Sequence, residues 1–153
     1  MNTIERITVS EDVTLISLND SPADIRLIAE IFDRLAASGI DVDMISQTPP
    51  NGAHSSLSFT VKDEDFGGVL EIAAELRRLN PDLKISVSSG NCKISIFGEA
   101  MRGLPGVAAM VFSATSEAGS DIRMITTSET DISVLVVKAD LDNTLNAIQK
   151  RFA

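Results

Sequence analysis

The sequence predicts an α+β fold made of two copies of one strand-helix-strand-strand-helix-strand unit. Three observations carry this. First, the chain repeats itself. At a shift of 80 residues, Ala29/Ala109, Phe32/Phe112, Gly39/Gly119, Asp41/Asp121, Met44/Met124 and Ile45/Ile125 coincide, and at a shift of 75, Ser58/Ser133, Val61/Val136 and Asp65/Asp140 coincide. The change of shift places a longer loop in the first copy, around "TPPNGAHSS". Second, each copy runs through the same order of β-branched, amphipathic and alternating segments. Third, the second copy stops after its second helix, while a strand-like run, "TIERITVS", stands spare at the N-terminus. Residues 2–10 are therefore expected to supply the missing strand, since an empty sheet position would leave an unpaired edge.

The elements follow in order. "VTLISL" (Val13–Leu18) is a β-branched run read as the first strand of copy one. Ile25, Ile28, Ala29, Phe32, Leu35 and Ala36 recur at three- and four-residue spacing, the core-facing stripe of a helix that stops at Gly39. "DVDMIS" (Asp41–Ser46) and "SLSFTV" (Ser56–Val61) alternate as strands. A helix over Asp63–Asn80 begins with acids and ends with Arg77-Arg78, both suited to its dipole. "LKISVS" (Leu83–Ser88) closes the copy. Copy two opens with "CKISIFG" (Cys92–Gly98), takes a helix stopped by Gly119, then "DIRMIT", "DISVLVV" and a last helix over Ala139–Phe152. This order is the ferredoxin-like split βαβ arrangement. The expected domains are 11–89, and 90–153 completed by 2–10.

Composition narrows the function classes. Net charge is −9, from 22 acids against 13 bases. That disfavours nucleic acid, which needs a basic face, and equally an anionic membrane surface. No window is apolar enough to cross a membrane, and "MNTIERITVSED" has no signal-peptide pattern, so a cytoplasmic protein is expected. The single cysteine, Cys92, excludes an internal disulfide and, starting a buried strand, reads as an inert core thiol. The single histidine, His54, lies in a loop, which leaves no metal cluster and no Ser/His/Asp set. Met44 and Met124 read as core. With no glycine-rich phosphate loop, no cofactor is expected.

One stretch stands out. "TTSE" (Thr126–Glu129) places four polar residues where two would turn a hairpin. It is either a plain surface turn or one side of a grip.

The segments "KISIFGEAMRGLPGVAAMVF" and "DIRMITTSETDISVLV" resemble the tandem ACT domains of aspartate kinases, whose motifs run G-x-x-M, P-G-V-A and N-I-x-M-I-S-T-S-E-I-x-I-S-V-L-V. In copy one, "GIDVDMISQ" resembles that family's G-I-N-V-D-M-I-x-Q. The resemblance covers nearly the whole chain and includes the swapped-strand arrangement, without a kinase domain ahead of it. It implies a stand-alone regulatory module that binds lysine or threonine at an ACT–ACT interface and controls amino-acid biosynthesis allosterically. It implies no catalytic residues, and a ligand set of Met101, Leu104, Gly106, Val107, Ala108, Asp121, Ile122, Ser128 and Glu129, with Gln47 from copy one. A helix N-terminus beyond Pro105-Gly106 would receive a carboxylate, and Asp121, Ser128 and Glu129 an ammonium. In copy one Ile25-Arg26 fills the family's Pro-Gly slots and restricts close approach. Arg123 stands where the family carries an acid; its charge opposes a lysine ε-ammonium, which favours threonine. The expected partners are a small amino acid, a second copy of the chain, and a separate kinase subunit. The alternative is a ligand-free dimerisation or interaction subunit.

Overall fold

The computed structural model describes residues 3–22 and 24–153. The elements are β1 (Arg6–Pro22), α1 (Ile25–Ala37), β2 (Ile45–Gln47), β3 (His54–Lys62), α2 (Phe66–Leu79), β4 (Lys84–Phe97), α3 (Val107–Glu117), β5 (Ile122–Thr127), β6 (Asp131–Val137) and α4 (Leu141–Arg151). Short 3-10 turns precede α2, α3 and α4. The fold is α+β with antiparallel strands, as the sequence predicts. No helix among the described residues is long and apolar enough to cross a membrane.

The chain divides into two compact units. The first is Asp12–Ser89; the second joins the residues up to Glu11 to Gly90–Ala153. The divisions fall inside β1 and β4. "TIERITVS" and "VTLISL" were expected as separate strands, as were "LKISVS" and "CKISIFG", yet each pair is one continuous strand. The joints are marked only by left-handed backbone at Asp12 (φ 57°) and Gly90 (φ 73°). Asn2, the first residue of the expected N-terminal strand, lies outside the described residues.

In the first unit the strands run β2-β3-β1-β4. Val13 to Leu18 of β1 pair in register with Lys62 to Leu57 of β3. The core is Ile16, Leu18, Leu57, Phe59 and Val61 from the sheet, packed under Leu27, Ile31 and Leu35 of α1 and Val69 and Leu76 of α2. The α1 stripe differs from the expected one. Leu27, Ile31 and Leu35, four residues apart, hold its centre, with Ile28 and Phe32 on its flank. That rotation carries Ala29 and Ala36 off the face and leaves Ile25 74% exposed.

In the second unit the order is β1-β4-β6-β5. Cys92, Ile94 and Ile96 of β4 and Ile132, Val134 and Val136 of β6 meet Val107, Val111 and Ala114 of α3 and Leu141 and Ile148 of α4. Ile4, from the chain's first described residues, belongs to this core.

The two units share a defect. "DVDMIS" was expected as a strand from Asp41, but β2 starts at Ile45. The reason is a bulge: Asp43 N–H and Met44 N–H both bond Thr60, at its carbonyl (3.1 Å) and its hydroxyl (3.0 Å). In the second unit the register slips between Ile122 and Met124, opposite Val136 and Leu135. Asp43 and Arg123 are 80 residues apart, and Thr60 and Leu135 are 75 apart, the shifts of the sequence repeat. The pairs Ser17–Ser58 (3.1 Å) and Ser95–Ser133 (3.0 Å) repeat likewise.

Candidate functional site

The candidate residues are best placed by following the second unit from β4 into α3. β4 ends at Phe97, and a 3-10 turn, Glu99–Met101, follows. Met101 N–H bonds Gly98 O (3.0 Å) and Leu104 N–H bonds Met101 O (3.0 Å), which winds the loop back toward the helix. Gly106 then takes φ 94°, a left-handed value that an L-residue adopts only with strain. It ends the loop and starts α3.

Met101 and Val107 are buried in the core with Ile4, so their side chains are packing groups. What Val107 and Ala108 offer a ligand is backbone. The first N–H groups of a helix have no partner inside it. At α3 no side chain caps them: Gly106, the N-cap, has none to offer. Leu104, half exposed, stands beside this end.

The polar joint between β5 and β6 lies at the same end of the unit. Gly98 N–H donates to Thr130 O (3.0 Å), and the Arg102 guanidinium donates to the Glu129 carboxylate. Arg102 also lies 3.7 Å from Glu99. Ser128 closes its own turn: its N–H bonds Asp131 O (2.9 Å) and its hydroxyl accepts Thr130 N–H (3.3 Å). The expected four-residue polar turn is shorter: Thr126 and Thr127 belong to β5, paired with Ser133 and Ile132, Ser128 is used in the turn, and Glu129 is its outward acid.

Asp121 and Ile122 are not with them. Ile122 begins β5, level with Val136 and Cys92, and Asp121 precedes it, whereas Ser128 and Glu129 follow its end, past the level of Ile132 and Ile96. At about 3.3 Å per residue the two ends stand on the order of 20 Å apart. Asp121 N–H donates to Asp140 (2.9 Å), and its carboxylate pairs with Arg123 at 3.0 Å. Gln47 belongs to the first unit, where it ends β2, exposed. The ten residues therefore fall into three places: seven around the α3 N-terminus, two at the far end of β5, and one in the other unit.

The corresponding junction in the first unit is built differently. The Asp24 carboxylate accepts Arg26 N–H at 2.9 Å and caps α1. Elsewhere in the second unit, an open cleft of about 650 Å³ lined by Glu117, Asn143, Lys150 and Arg151 lies at the C-terminal end of α3, away from the candidate residues. Among the described residues no group of three His, Cys, Asp or Glu is disposed to hold a metal ion.

Sequence reasoning missed Arg102 and Glu5. Arg102 is visible in "EAMRGLPG" only as a surface cation. Glu5, whose carboxylate bonds Glu99 N–H at 3.0 Å, lies 94 residues away from it and gives no local signal.

Comparison with known proteins bears on the family and the fold. Residues 94–152 match the profile of an ACT domain. Over 149 residues the chain is 30% identical to an aspartokinase of Geobacillus stearothermophilus, a match that takes in 97% of the chain and 36% of the enzyme. The chain thus spans about a third of the length of the curated relatives it matches. The crystal structure of the regulatory subunit of aspartate kinase from Thermus thermophilus, in its ligand-free form, superposes with a TM-score of 0.88 at 30% identity, covering 99% of both chains. A structure of aspartokinase alpha and beta subunits gives 0.86 at 32% identity, covering 97% of this chain and 98% of that one. The chain belongs to the aspartate kinase family, within its ACT-domain regulatory part.

Proposed function

We propose that the chain is an amino-acid-sensing regulatory subunit of an aspartate kinase, composed of a first ACT unit over 11–89 and a second over 90–153 completed by the N-terminal strand. The observation that carries this reading is the uncapped N-terminus of α3 at the same end of the second unit as Glu129, which the preceding loop meets through Arg102. A free amino acid has a carboxylate and an ammonium a few ångströms apart. The backbone N–H groups of Val107 and Ala108 suit the first, with the helix dipole in favour. Glu129 suits the second, once it exchanges Arg102 for the ligand.

Asp121 and Ile122 do not reach this place within the second unit, and Gln47 belongs to the first. We assign their role to a second copy of the chain, whose strand end would complete the site in a homodimer. Threonine is the favoured effector over lysine. Arg102 pairs with Glu129 and Arg123 with Asp121, and these cations oppose the additional ammonium of a lysine side chain. The regulated partner is a catalytic kinase subunit. Ligand binding acts on it only through different affinities for two conformational states. The chain alone phosphorylates no aspartate.

A thermal-shift screen against the twenty amino acids and diaminopimelate tests the reading. A ligand of the folded state stabilises by about 2.7 kcal/mol at a hundredfold excess over Kd. Threonine should raise Tm, and Asp121→Ala or Glu129→Ala should remove that rise without unfolding the chain. The same two ion pairs favour a second reading, a ligand-free interaction subunit. In that case no amino acid shifts Tm, and neither substitution changes any small-molecule response.

A further inference from the structure

The loop that leads into α3 is held from one side by the chain's first described residues. Gly98 is extended (φ −170°), a conformation open to any residue, so its backbone does not require glycine. Space does. A Cβ at Gly98 would lie 2.0 Å from Thr3 O, 3.1 Å from Thr3 C and 3.3 Å from Ile4 Cα. Glu5 N–H bonds Phe97 O at 2.9 Å, and the Glu5 carboxylate accepts Glu99 N–H at 3.0 Å. Glu99 opens the 3-10 turn, so this donor has no partner within the turn. The Arg6 guanidinium lies 4.2 Å above the Phe97 ring. Ile4 packs in the cluster that contains Met101 and Val107. On its other side Gly98 bonds Thr130, next to Glu129. One bonded row therefore runs from Thr3–Glu5 through Phe97–Gly98 to the Ser128–Asp131 turn.

We propose that Thr3–Ile7 is a strap that positions the Gly98–Gly106 loop, with Glu5 as the positioning residue, and that the strap reports the state of the site at the α3 N-terminus. The second half rests on the effector reading above. Gly98 admits the strap; Glu5 fixes the turn that sets Met101 and the start of α3. Closure of this loop on a ligand is transmitted to the strap through the Glu5 N–H to Phe97 O and Glu99 N–H to Glu5 carboxylate hydrogen bonds.

Residue-resolved hydrogen exchange on the whole chain tests both halves. Without ligand, Glu5→Ala should speed exchange at 99–104 by about tenfold, the loss of one charge-assisted hydrogen bond. Glu5→Gln, which keeps an acceptor oxygen, should restore most of the protection, and 57–62 should not change in either variant. Equal exchange in Glu5→Ala and wild type overturns the positioning role. With saturating threonine, wild type should gain protection at 5–9 as well as at 99–108, and Glu5→Ala at 99–108 only. Protection of the loop without the strand overturns the coupling alone. No threonine effect anywhere, with Tm unmoved, overturns the effector reading and the coupling with it, while the ligand-free comparison still decides the positioning role.

Discussion

The two junctions that feed α1 and α3 occupy the same place in the two copies and solve the same problem in opposite ways. A helix N-terminus presents donors that need an anion or an acceptor. At α1 the chain supplies one: Asp24 bonds Arg26 N–H, and Ile25 beside it stands in solvent. At α3 the chain supplies glycine in a left-handed conformation and nothing more. The approach differs too. The α3 loop is strapped from behind by Thr3–Ile7, which fixes an open N-terminus in position. A junction that carries its own carboxylate has little use for a ligand's. A junction held rigid but uncapped is the one on which an amino acid can act.

The contrast breaks most readily at the strap. Gly98→Ala forces a methyl against the Thr3 carbonyl and should cost about 3 kcal/mol or more, the upper range of overpacking. Urea unfolding would show it, and an unchanged midpoint would mean that the strap is not seated as described. Gly106→Ala meets no neighbour within 4 Å, so it should cost only the left-handed strain, about 1–2 kcal/mol. Asp24→Ala should cost about 1 kcal/mol, the usual loss of a helix cap, and should leave any threonine response intact. A lost response would place the effector at α1 instead.

Smaller effects sharpen the comparison. Arg102→Gln releases Glu129 from its internal partner. Apparent affinity for threonine should rise by about fivefold, the ~1 kcal/mol scale of an exposed pair, as read from the ligand dependence of Tm. The smallest effect is at the far end of α1. Arg34 bonds Glu75 of α2 at 2.7 Å and holds its carboxyl below the ordinary glutamate range through that hydrogen bond and its charge. A lowered folded pKa contributes stability that is complete above the ordinary value and is lost as pH falls through the folded one. Glu75→Gln should therefore slightly flatten the fall in stability in acid and change little at neutral pH.

Much of this fold is legible in the sequence because the repeat makes each element appear twice. Ser58/Ser133 sets a strand register, and Gly39 and Gly119 stop equivalent helices. What stayed hidden depends on groups that meet across long sequence separations. The bulge at Asp43 recurs at Arg123 opposite Leu135, which has no hydroxyl; in the first unit Met44 N–H bonds the Thr60 hydroxyl and β2 is confined to Ile45–Gln47. The rotation of α1 follows from the sheet it covers, which chose Leu27 and Ile31 over Ile25 and Ala29. In the candidate site, resemblance brought Gly106, Ser128 and Glu129 to one end of the second unit, but also Asp121, which β5 carries to the other end. Glu5, Gly98 and Arg102 act through contacts that no local pattern encodes.

The most direct test of the central claim is a threonine titration followed by the backbone amide resonances of the intact chain. The account predicts saturable shifts at Val107, Ala108 and the Ser128–Thr130 turn, with Arg26 and Leu27 unmoved. Shifts centred on Arg26 and Leu27, or none anywhere at millimolar threonine, would contradict it.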